Sequence, residues 1–307
     1  MELSVVIVNW NTGAMLHNCL RSVMAAQGDA PSADSEIIVV DNNSSDGSVA
    51  ALGADFPALR LIKNSENLGF ARATNQGIRA GTGRYVLLLN PDTEVLPGAL
   101  AEMLRFMKER PEAGAVGAML LNGDGSLQIS AYPEPTLLRE AWRLFHLDKL
   151  RPLGSYPMAR WCVTMPRQVD VLMGACIMLR REVLDQCGLL DERYFIYSED
   201  QDLCRRLRSR GWRIFWLPTA KVVHFGGQST RQVKGEMFVR LYREKVAYFR
   251  VHRGSMAAAT YKLVLLCASL ARQFSSPLAL LAGRERRCRA IELARSYRRL
   301  VRELPGL

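Results

Sequence analysis

Three carboxylates lie within four residues, at Glu199, Asp200 and Asp202, where the sequence predicts the start of a helix. A histidine, His224, follows later at the end of a short apolar run. Neither feature helps to form a hydrophobic core. A carboxylate beside a second acidic site and a histidine is typical of an active site that removes a proton next to a metal-bound anion.

Both features also have a structural explanation. The dipole of a helix favours acidic residues in its first turn, and Ser198 with Gln201 matches a capping box. One or two acids would serve that purpose, however, and the same dipole keeps a carboxylate ionised, as a general base must be. Taken alone, His224 is more simply explained as a structural histidine. A role as a metal ligand becomes equally good only if a carboxylate elsewhere in the chain can bind the same metal.

Asp92 is the candidate for that carboxylate. It follows the predicted strand Tyr85–Leu89 and comes two residues after Asn90. Mg²⁺ and Mn²⁺ commonly bind proteins through only one or two carboxylates, while the phosphates of a ligand complete the coordination shell. His224 could add a nitrogen ligand, which would suit Mn²⁺ better than Mg²⁺.

The elements that must position these residues follow from the hydrophobic pattern. Strand–helix alternation at this spacing predicts an α/β fold with a mixed, mostly parallel sheet flanked by helices. The predicted elements are the strands Leu3–Val8, Ile37–Val40, Leu59–Lys63 and Tyr85–Leu89, a helix with the apolar stripe Leu16, Cys19, Leu20, Val23 and Met24, and a helix over Ala71–Ala80. Farther along, Val169–Leu179 and Trp212–Leu217 are predicted as buried strands, and Ser198 is predicted to cap a helix.

Polar side chains follow three of the predicted strands. They are Asn9 and Asn11, then Asp41, Asn43 and Asp46, and then Asn90 and Asp92. Ligands of open α/β sheets bind beyond the carboxyl ends of the strands. Any one of these loops is better explained as a simple turn, but three together indicate a ligand site. The glycines of the segment 67–77 do not form a dinucleotide fingerprint and no P-loop follows the first strand, which argues against a nicotinamide enzyme and a P-loop NTPase.

Composition narrows the class of protein. The 307 residues, 49% hydrophobic and 23% charged, can form a substantial core. The seven cysteines form no CxxC pair and no zinc-finger spacing, so reduced thiols and a cytosolic location are expected. We find no signal peptide, and no run of about 18 uninterrupted apolar residues predicts a membrane span.

The net charge of +11 is uneven, because eight arginines and three glutamates lie between Arg284 and Glu303. We predict two domains, residues 1–230 with the sheet and 231–307 as a helical, basic extension. Within the extension Tyr261–Ala271 is apolar, Pro277 interrupts the pattern, and a basic helix begins at Arg284. Such a tail can lie against an anionic membrane surface, on the inner face of the plasma membrane. A helix packed on the main domain explains the pattern equally well.

The motifs, taken in order, resemble those of family 2 glycosyltransferases with the GT-A fold, over about residues 3–230. The resemblance is carried by Val5–Asn11, Val39–Gly47, Asn67–Ala71, Leu89–Thr93, Gly174–Cys176 and Glu199–Asp200. The form Asn90-Pro91-Asp92 and the later His224, Gly227 and Ser229 are most similar to the rhamnosyltransferase-like branch.

The resemblance implies an inverting transfer of a sugar from a nucleotide diphosphate to a hydroxyl of a glycan or lipid-linked acceptor, for cell-envelope polysaccharide synthesis. It implies that Asp41 reads the donor base, that Asp92 and His224 hold a divalent cation, Mn²⁺ or Mg²⁺, and that Asp200 is the catalytic base. The candidate donor-binding residues are Asn9, Asn11, Asp41, Asn43, Asp46, Asn67, Gly69, Asn75 and Asn90. Asn90 departs from the family's DxD motif, which lowers the charge available to the cation. The branch favours dTDP-rhamnose as donor, with UDP-sugars next.

Three other functions fit parts of the sequence. A nucleic-acid-binding protein would use the positive charge, but that charge concentrates in one terminal region and no RRM, KH, helix-turn-helix or zinc-finger pattern is present, so no nucleic-acid partner is expected. A sugar nucleotidyltransferase should carry a glycine-rich phosphate loop with Arg or Lys, which Asn9–Gly13 is not. An inactive sugar-nucleotide-binding scaffold would have no use for Asp92, Asp200 and His224.

Overall fold

The computed structural model describes residues 1–28, 34–50, 52–227, 232–275 and 284–307. Its strands are β1 Leu3–Asn9, β2 Ser35–Asp41, β3 Arg60–Lys63, β4 Tyr85–Leu89, β5 Thr93–Val95, β6 Ala113–Leu121, β7 Ala131–Tyr132, β8 Arg167–Gln168, β9 Val171–Leu172, β10 Cys176–Arg180 and β11 Arg213–His224. Its α-helices are α1 Ala14–Gly28, α2 Leu52–Asp55, α3 Phe70–Ala80, α4 Ala99–Glu109, α5 Leu137–Leu144, α6 Arg181–Cys187, α7 Glu199–Ser209, α8 Lys234–Ser275 and α9 Arg284–Glu303.

Within the described residues, nine strands form one mixed sheet. Its hydrogen-bonded path runs β3-β2-β1-β4-β10-β6-β11-β5, and β8 pairs with β11. The first four strands pair in parallel, β6 pairs in parallel with β11, and β10 runs antiparallel to both β4 and β6. The predicted fold class is confirmed. The parallel register places the ends of β1, β2 and β4 at one edge, where the polar loops follow.

Helices cover both faces of the sheet. Helices α1 and α4 pack on one face, and α3, α6 and α7 pack on the other. Four of the five residues of the predicted stripe on α1 are fully buried, but Met24 is 47% exposed. That part of the prediction is wrong because Met24 lies at the edge of the stripe, where helical periodicity turns it toward solvent.

The segment 169–179 is not the single strand that the sequence predicted. It contains two strands, β9 and β10, which belong to different sheets: β9 pairs with β7, and β10 joins the main sheet. The chain turns between them at Gly174, whose backbone N–H donates to Asp200 instead of to a neighbouring strand. The apolar pattern could not show this break because both strands are buried.

Two other boundaries differ from the prediction. Strand β11, the last in chain order, extends beyond Leu217 to His224. Its register is irregular between Leu217 and Lys221, where Pro218 has no N–H to donate to the ladder. Ser198 is not an N-cap: its φ of 63° is left-handed, and its buried hydroxyl makes no hydrogen bond within the described residues. An N-cap residue needs an extended backbone.

The chain forms two compact units. The first comprises Met1–Glu134, Tyr156–Phe195 and Glu199–Arg231. The second comprises Pro135–Ser155, Ile196–Ser198 and Gln232–Leu307, and so includes residues 135–155 that the sequence prediction left in the first domain. The predicted division at residues 230 and 231 stays a prediction.

The second unit is built on the long helix α8, which breaks at Gly254, where φ is 85°. Among the described residues one helix, Lys234–Gln273, is long and apolar enough to cross a membrane by length and composition alone. Its sequence contains no uninterrupted apolar run of spanning length, because Lys262 lies within the apolar part. Pro277 lies outside the described residues.

Candidate active site

The structure brings Asn90, Asp92 and His224 together. Strand β5 pairs antiparallel with the end of β11, which places Thr93 opposite His224. Nε2 of His224 lies 3.4 Å from Oδ1 of Asp92, and both side chains are nearly buried. The amide nitrogen of Asn90 lies 3.4 Å from the same Nε2. A carboxylate and an imidazole therefore face each other at the carboxyl edge of the sheet.

Gln128, which sequence reasoning missed, orients the imidazole of His224. The Gln128 amide nitrogen donates to Oδ1 of Asn122 at 2.9 Å and to the carbonyl of His224 at 3.1 Å. Its Oε1 must therefore be the atom 2.6 Å from Nδ1 of His224, and Nδ1 carries the proton. In the neutral ring this leaves the lone pair on Nε2, next to Asp92.

This arrangement fits a divalent cation. The Nε2 lone pair and the Asp92 carboxylate can supply two ligand atoms to one cation, and a hydrogen bond donated by the remote ring N–H is the usual support of a metal-binding histidine. Within the parts of the chain that the structure describes, no group of three or more His, Cys, Asp or Glu side chains could hold a metal. Two protein ligands leave the other positions to phosphate oxygens.

The residues after β1 and β2 form a second cluster, because Asn9 and Asp41 are partners in the parallel register. The Asn9 amide nitrogen lies 3.0 Å from Oδ1 of Asp41 and 2.9 Å from the hydroxyls of Ser44 and Ser48. Asn9 and Asp41 are buried. Their contacts fix the Asp41 carboxylate at the end of β2.

Asn11, Asn43 and Asp46 shape the loop around that cluster. Oδ1 of Asn11 accepts a hydrogen bond from the Ser45 backbone at 2.7 Å, and Asn11 and Asn43 have φ values of 52° and 65°, which asparagine tolerates. Oδ2 of Asp46 accepts from the Gly13 backbone at 2.7 Å. Partial burial alone would raise the pKa of Asp46, but hydrogen bonds from Ser48 and Gly13 outweigh it and lower the pKa.

Asn42 connects the loop that contains Asn67 and Gly69 to this edge of the sheet. The sequence did not indicate this role for Asn42. The Asn42 amide nitrogen donates to Oδ1 of Asn67 at 2.7 Å, and its Oδ1 accepts from the backbone of Leu68 at 3.0 Å. Gly69 has a φ of 84°. The loop before α3 is therefore tied to the end of β2.

Gly69→Ala should destabilise the protein by at least about 2 kcal/mol, because a left-handed φ is costly and the added Cβ would lie 2.7 Å from the backbone oxygen of Phe195. Urea denaturation measures this. Gly53→Ala is the matched control, since its Cβ would meet nothing within 4 Å and its φ is not positive. Equal stabilities for the two variants would contradict the steric argument.

Asn75 lies apart from the other predicted donor residues. Its amide nitrogen donates to the carbonyl of Leu190 at 2.8 Å, and its Oδ1 accepts from the Leu190 backbone at 3.0 Å. The same nitrogen lies 3.0 Å from Glu192. Both ends of this buried amide thus hold the loop that precedes α7.

Of the three carboxylates in the first turn of α7, Asp200 is the most accessible. Glu199 and Asp202 are buried, and Asp202 pairs with Arg206 at 2.7 Å, which is a structural role. The half-buried Asp200 carboxylate accepts hydrogen bonds from the backbone of Gly174 at 3.2 Å and of Gln201 at 2.7 Å. Its side chain is therefore held in a defined orientation next to the turn between β9 and β10.

Three contacts in series connect Asp200 with the Asp92–His224 pair. The Asp200 carboxylate accepts a hydrogen bond from the backbone N–H of Gly174. The carbonyl of the next residue, Ala175, accepts a hydrogen bond from the backbone N–H of Asn90 at 2.9 Å. Asn90 in turn contacts His224. The candidate base and the candidate metal ligands therefore lie at the same edge of the sheet, although more than a hundred residues separate Asp92 from Asp200.

Arginines of α7 anchor the helix that carries Asp200. Arg206 donates to the carbonyls of Cys187, Gly188 and Leu189. On another side of the helix, Arg205 and Arg208 both pair with Glu134. Nothing in the sequence pattern indicated these contacts of the arginines.

A family model described as glycosyl transferase family 2 matches residues 4–188. The chain is 32% identical over 248 residues to an N-acetylglucosaminyl-diphospho-decaprenol L-rhamnosyltransferase of Mycobacterium tuberculosis, covering 74% of this chain and 77% of the relative. It is 26% identical over 246 residues to a low-salt glycan biosynthesis hexosyltransferase of Haloferax volcanii, covering 78% of this chain and 72% of that protein.

Two solved structures share the fold. A mannosyltransferase from Pyrobaculum calidifontis in complex with GDP-Man and Mn²⁺ has a TM-score of 0.57 at 17% identity, covering 99% of this chain and 86% of that one. The S. aureus TarS fragment 1–349 in complex with UDP has a TM-score of 0.52 at 18% identity, covering 99% and 82%. At such identities the likeness shows the fold alone. Ser229 of the sequence motif lies outside the described residues.

Proposed function

The chain belongs to glycosyl transferase family 2, and we propose that it transfers one sugar from a nucleotide diphosphate to an acceptor hydroxyl with inversion at the anomeric carbon. The observation that carries the proposal is the short path from Asp200 through Gly174 and Ala175 to Asn90, beside the Asp92–His224 pair. This path connects the candidate base with the candidate ligands of a divalent cation. A departing diphosphate would need such a cation to offset its charge.

In this proposal Asp200 takes the proton of the acceptor hydroxyl as its oxygen attacks the anomeric carbon. The start of α7 supports the ionised form of the carboxylate, and the two backbone N–H groups aim it. Asp92 and His224 would hold Mn²⁺ or Mg²⁺, and a bound cation would offset the charge that develops on the departing diphosphate. Asp41, held by Asn9, reads the donor base.

The relatives suggest the substrates. The mycobacterial relative is named as an L-rhamnosyltransferase acting on N-acetylglucosaminyl-diphospho-decaprenol. We propose dTDP-rhamnose as the donor, with UDP-sugars as the next choice, and a lipid-linked glycan of the cell envelope as the acceptor. Both substrates are consistent with the cytoplasmic location expected from the sequence.

The donor proposal is tested by calorimetry of dTDP-rhamnose and UDP-sugar binding, with and without Mn²⁺. Wild type should bind one donor class more tightly when Mn²⁺ is present, and Asp92→Ala should lose that Mn²⁺-dependent gain because it removes the charged ligand. Glu109→Ala, which changes an exposed carboxylate of α4, is the matched control. A gain that survives in Asp92→Ala would contradict the metal role.

Gln128→Leu should lower the affinity for Mn²⁺ by about 10- to 100-fold, because the Nδ1 proton of His224 loses the acceptor that fixes the tautomer. Electron paramagnetic resonance of free Mn²⁺ measures this in the presence of nucleotide diphosphate. Gln186→Leu, an exposed glutamine of α6, serves as control. Unchanged affinity in Gln128→Leu would show that His224 does not bind the cation through Nε2.

A further inference from the structure

The net positive charge of the chain lies entirely in the second compact unit. Over its sequence ranges this unit has 20 Lys and Arg against 7 Asp and Glu, whereas the first unit has 21 against 23. The sheet-bearing unit is therefore close to neutral, and the second unit has a net charge of +13. A charge this concentrated indicates an anionic partner for the second unit alone.

The same unit exposes an uncharged helix face. Beyond the break at Gly254, helix α8 places Met256, Leu263 and Leu270 in solvent, with exposed fractions of 86%, 59% and 40%. These residues recur every seven positions, and the exposed Thr260 and Cys267 lie between them. Steps of three and four residues return to one side of a helix, so the five residues form a continuous line, here called the exposed stripe.

The opposite face of this helix is already occupied. The hydroxyl of Tyr261 donates to Glu140 of α5 at 3.4 Å, and the guanidinium of Arg272 donates to the carbonyl of Leu144 at 2.6 Å. A helix that spans a bilayer would take these polar contacts into the hydrocarbon core. Helix α8 is therefore apolar enough to cross a membrane, but only one of its sides is exposed and available to lipid.

We propose that the exposed stripe lies in the plane of a bilayer interface that contains anionic phospholipid, while solvent-accessible Lys and Arg side chains of the second unit contact the lipid phosphates. An apolar face combined with a surplus of cations is the pattern of interfacial helices. Dimerisation through the exposed stripe would bring two strongly positive units together, and their charges would repel each other. A nucleic acid would have no use for an uncharged stripe, because its binding depends on phosphate contacts.

Sedimentation of the full chain with vesicles tests the proposal without donor or acceptor, so its outcome is independent of the proposed sugar transfer. Wild type should bind phosphatidylcholine vesicles that contain phosphatidylglycerol, and more weakly at high salt. Leu263→Gln combined with Leu270→Gln should weaken this partitioning at least about tenfold, since two apolar side chains no longer enter the interface. Val163→Gln combined with Met165→Gln, exposed residues of the first unit, should leave binding unchanged.

A second readout does not depend on how these variants fold. An environment-sensitive dye on Cys267, in a chain with Cys162→Ser and Cys288→Ser, should shift its emission to the blue when the anionic vesicles are added. An unchanged emission, or equal vesicle binding by wild type and the stripe variant, would overturn the proposal. So would a concentration-dependent dimer, or binding to duplex DNA, that the stripe variant abolishes.

Discussion

Asp200→Asn should lower the rate constant of sugar transfer by about 10²- to 10⁴-fold while the affinity for the donor stays at the wild-type level. The side chain keeps its size, and an amide oxygen can still accept from the backbone of Gly174 or Gln201. What is lost is the capacity to take a proton from the acceptor hydroxyl. Single-turnover kinetics and calorimetry of the donor measure the two quantities separately.

Asp202→Asn is the matched control. Its carboxylate is two residues away but buried and paired with Arg206, so its replacement should lower the stability of the protein without lowering the rate of the folded enzyme. Near-normal turnover by Asp200→Asn would remove Asp200 as the base. A parallel loss of donor affinity would assign it to binding instead.

Glu140→Leu should destabilise the second compact unit by about 3–5 kcal/mol, because it removes one partner of a buried charge cluster. Glu140 accepts from Lys245 at 2.7 Å and from Arg143 at 2.8 Å, and both Glu140 and Lys245 are buried. Without the carboxylate, the ammonium of Lys245 loses this ion pair in a site with little water. Urea denaturation followed by circular dichroism measures the change.

An exposed ion pair of the same unit gives the control. Glu236 pairs with Arg240 one turn along α8 and is half exposed, so Glu236→Leu should change stability by less than about 1 kcal/mol. Similar losses for Glu140→Leu and Glu236→Leu would show that the Glu140 cluster contributes no more than a surface pair.

The same cluster predicts a pH dependence. Burial alone would raise the pKa of Glu140, but the charges of Lys245 and Arg143 outweigh it and hold the pKa below its ordinary value of 4.5. A carboxyl whose pKa is lowered by folding stabilises the native state above its unfolded pKa, and this contribution is lost as the pH falls through the folded pKa. Wild type should therefore lose stability more steeply than Glu140→Leu below about pH 4.5. Parallel curves would contradict the predicted shift.

The sequence predicted the part of the site that depends on parallel strands. Asn9 and Asp41 end adjacent buried strands, and a parallel register brings such ends together, so periodicity and turn residues were sufficient. The pairing of Asp92 with His224 could not be derived in that way. It depends on the antiparallel pairing of β5 with β11, between segments far apart in the chain.

Supporting residues were the hardest to predict. Gln128 acts through its contact with His224, and nothing in its local sequence distinguishes it from an ordinary polar residue after a turn. The break at Gly174 was hidden because the strands on both sides are buried, yet this break frees the backbone N–H that binds Asp200. Tyr197 and Ser198 both adopt a left-handed φ just before α7, where the capping pattern predicted an ordinary helix start. Strained backbone of this kind is characteristic of functional sites.

The configuration of the anomeric carbon in the product tests the central claim most directly. Proton NMR of the glycoside product reports the configuration of its anomeric carbon and so distinguishes one displacement from two. A single attack by an acceptor that Asp200 deprotonates must give a product of inverted configuration. A first-formed product that retains the configuration of the donor would contradict the assignment of Asp200 and the mechanism built on it.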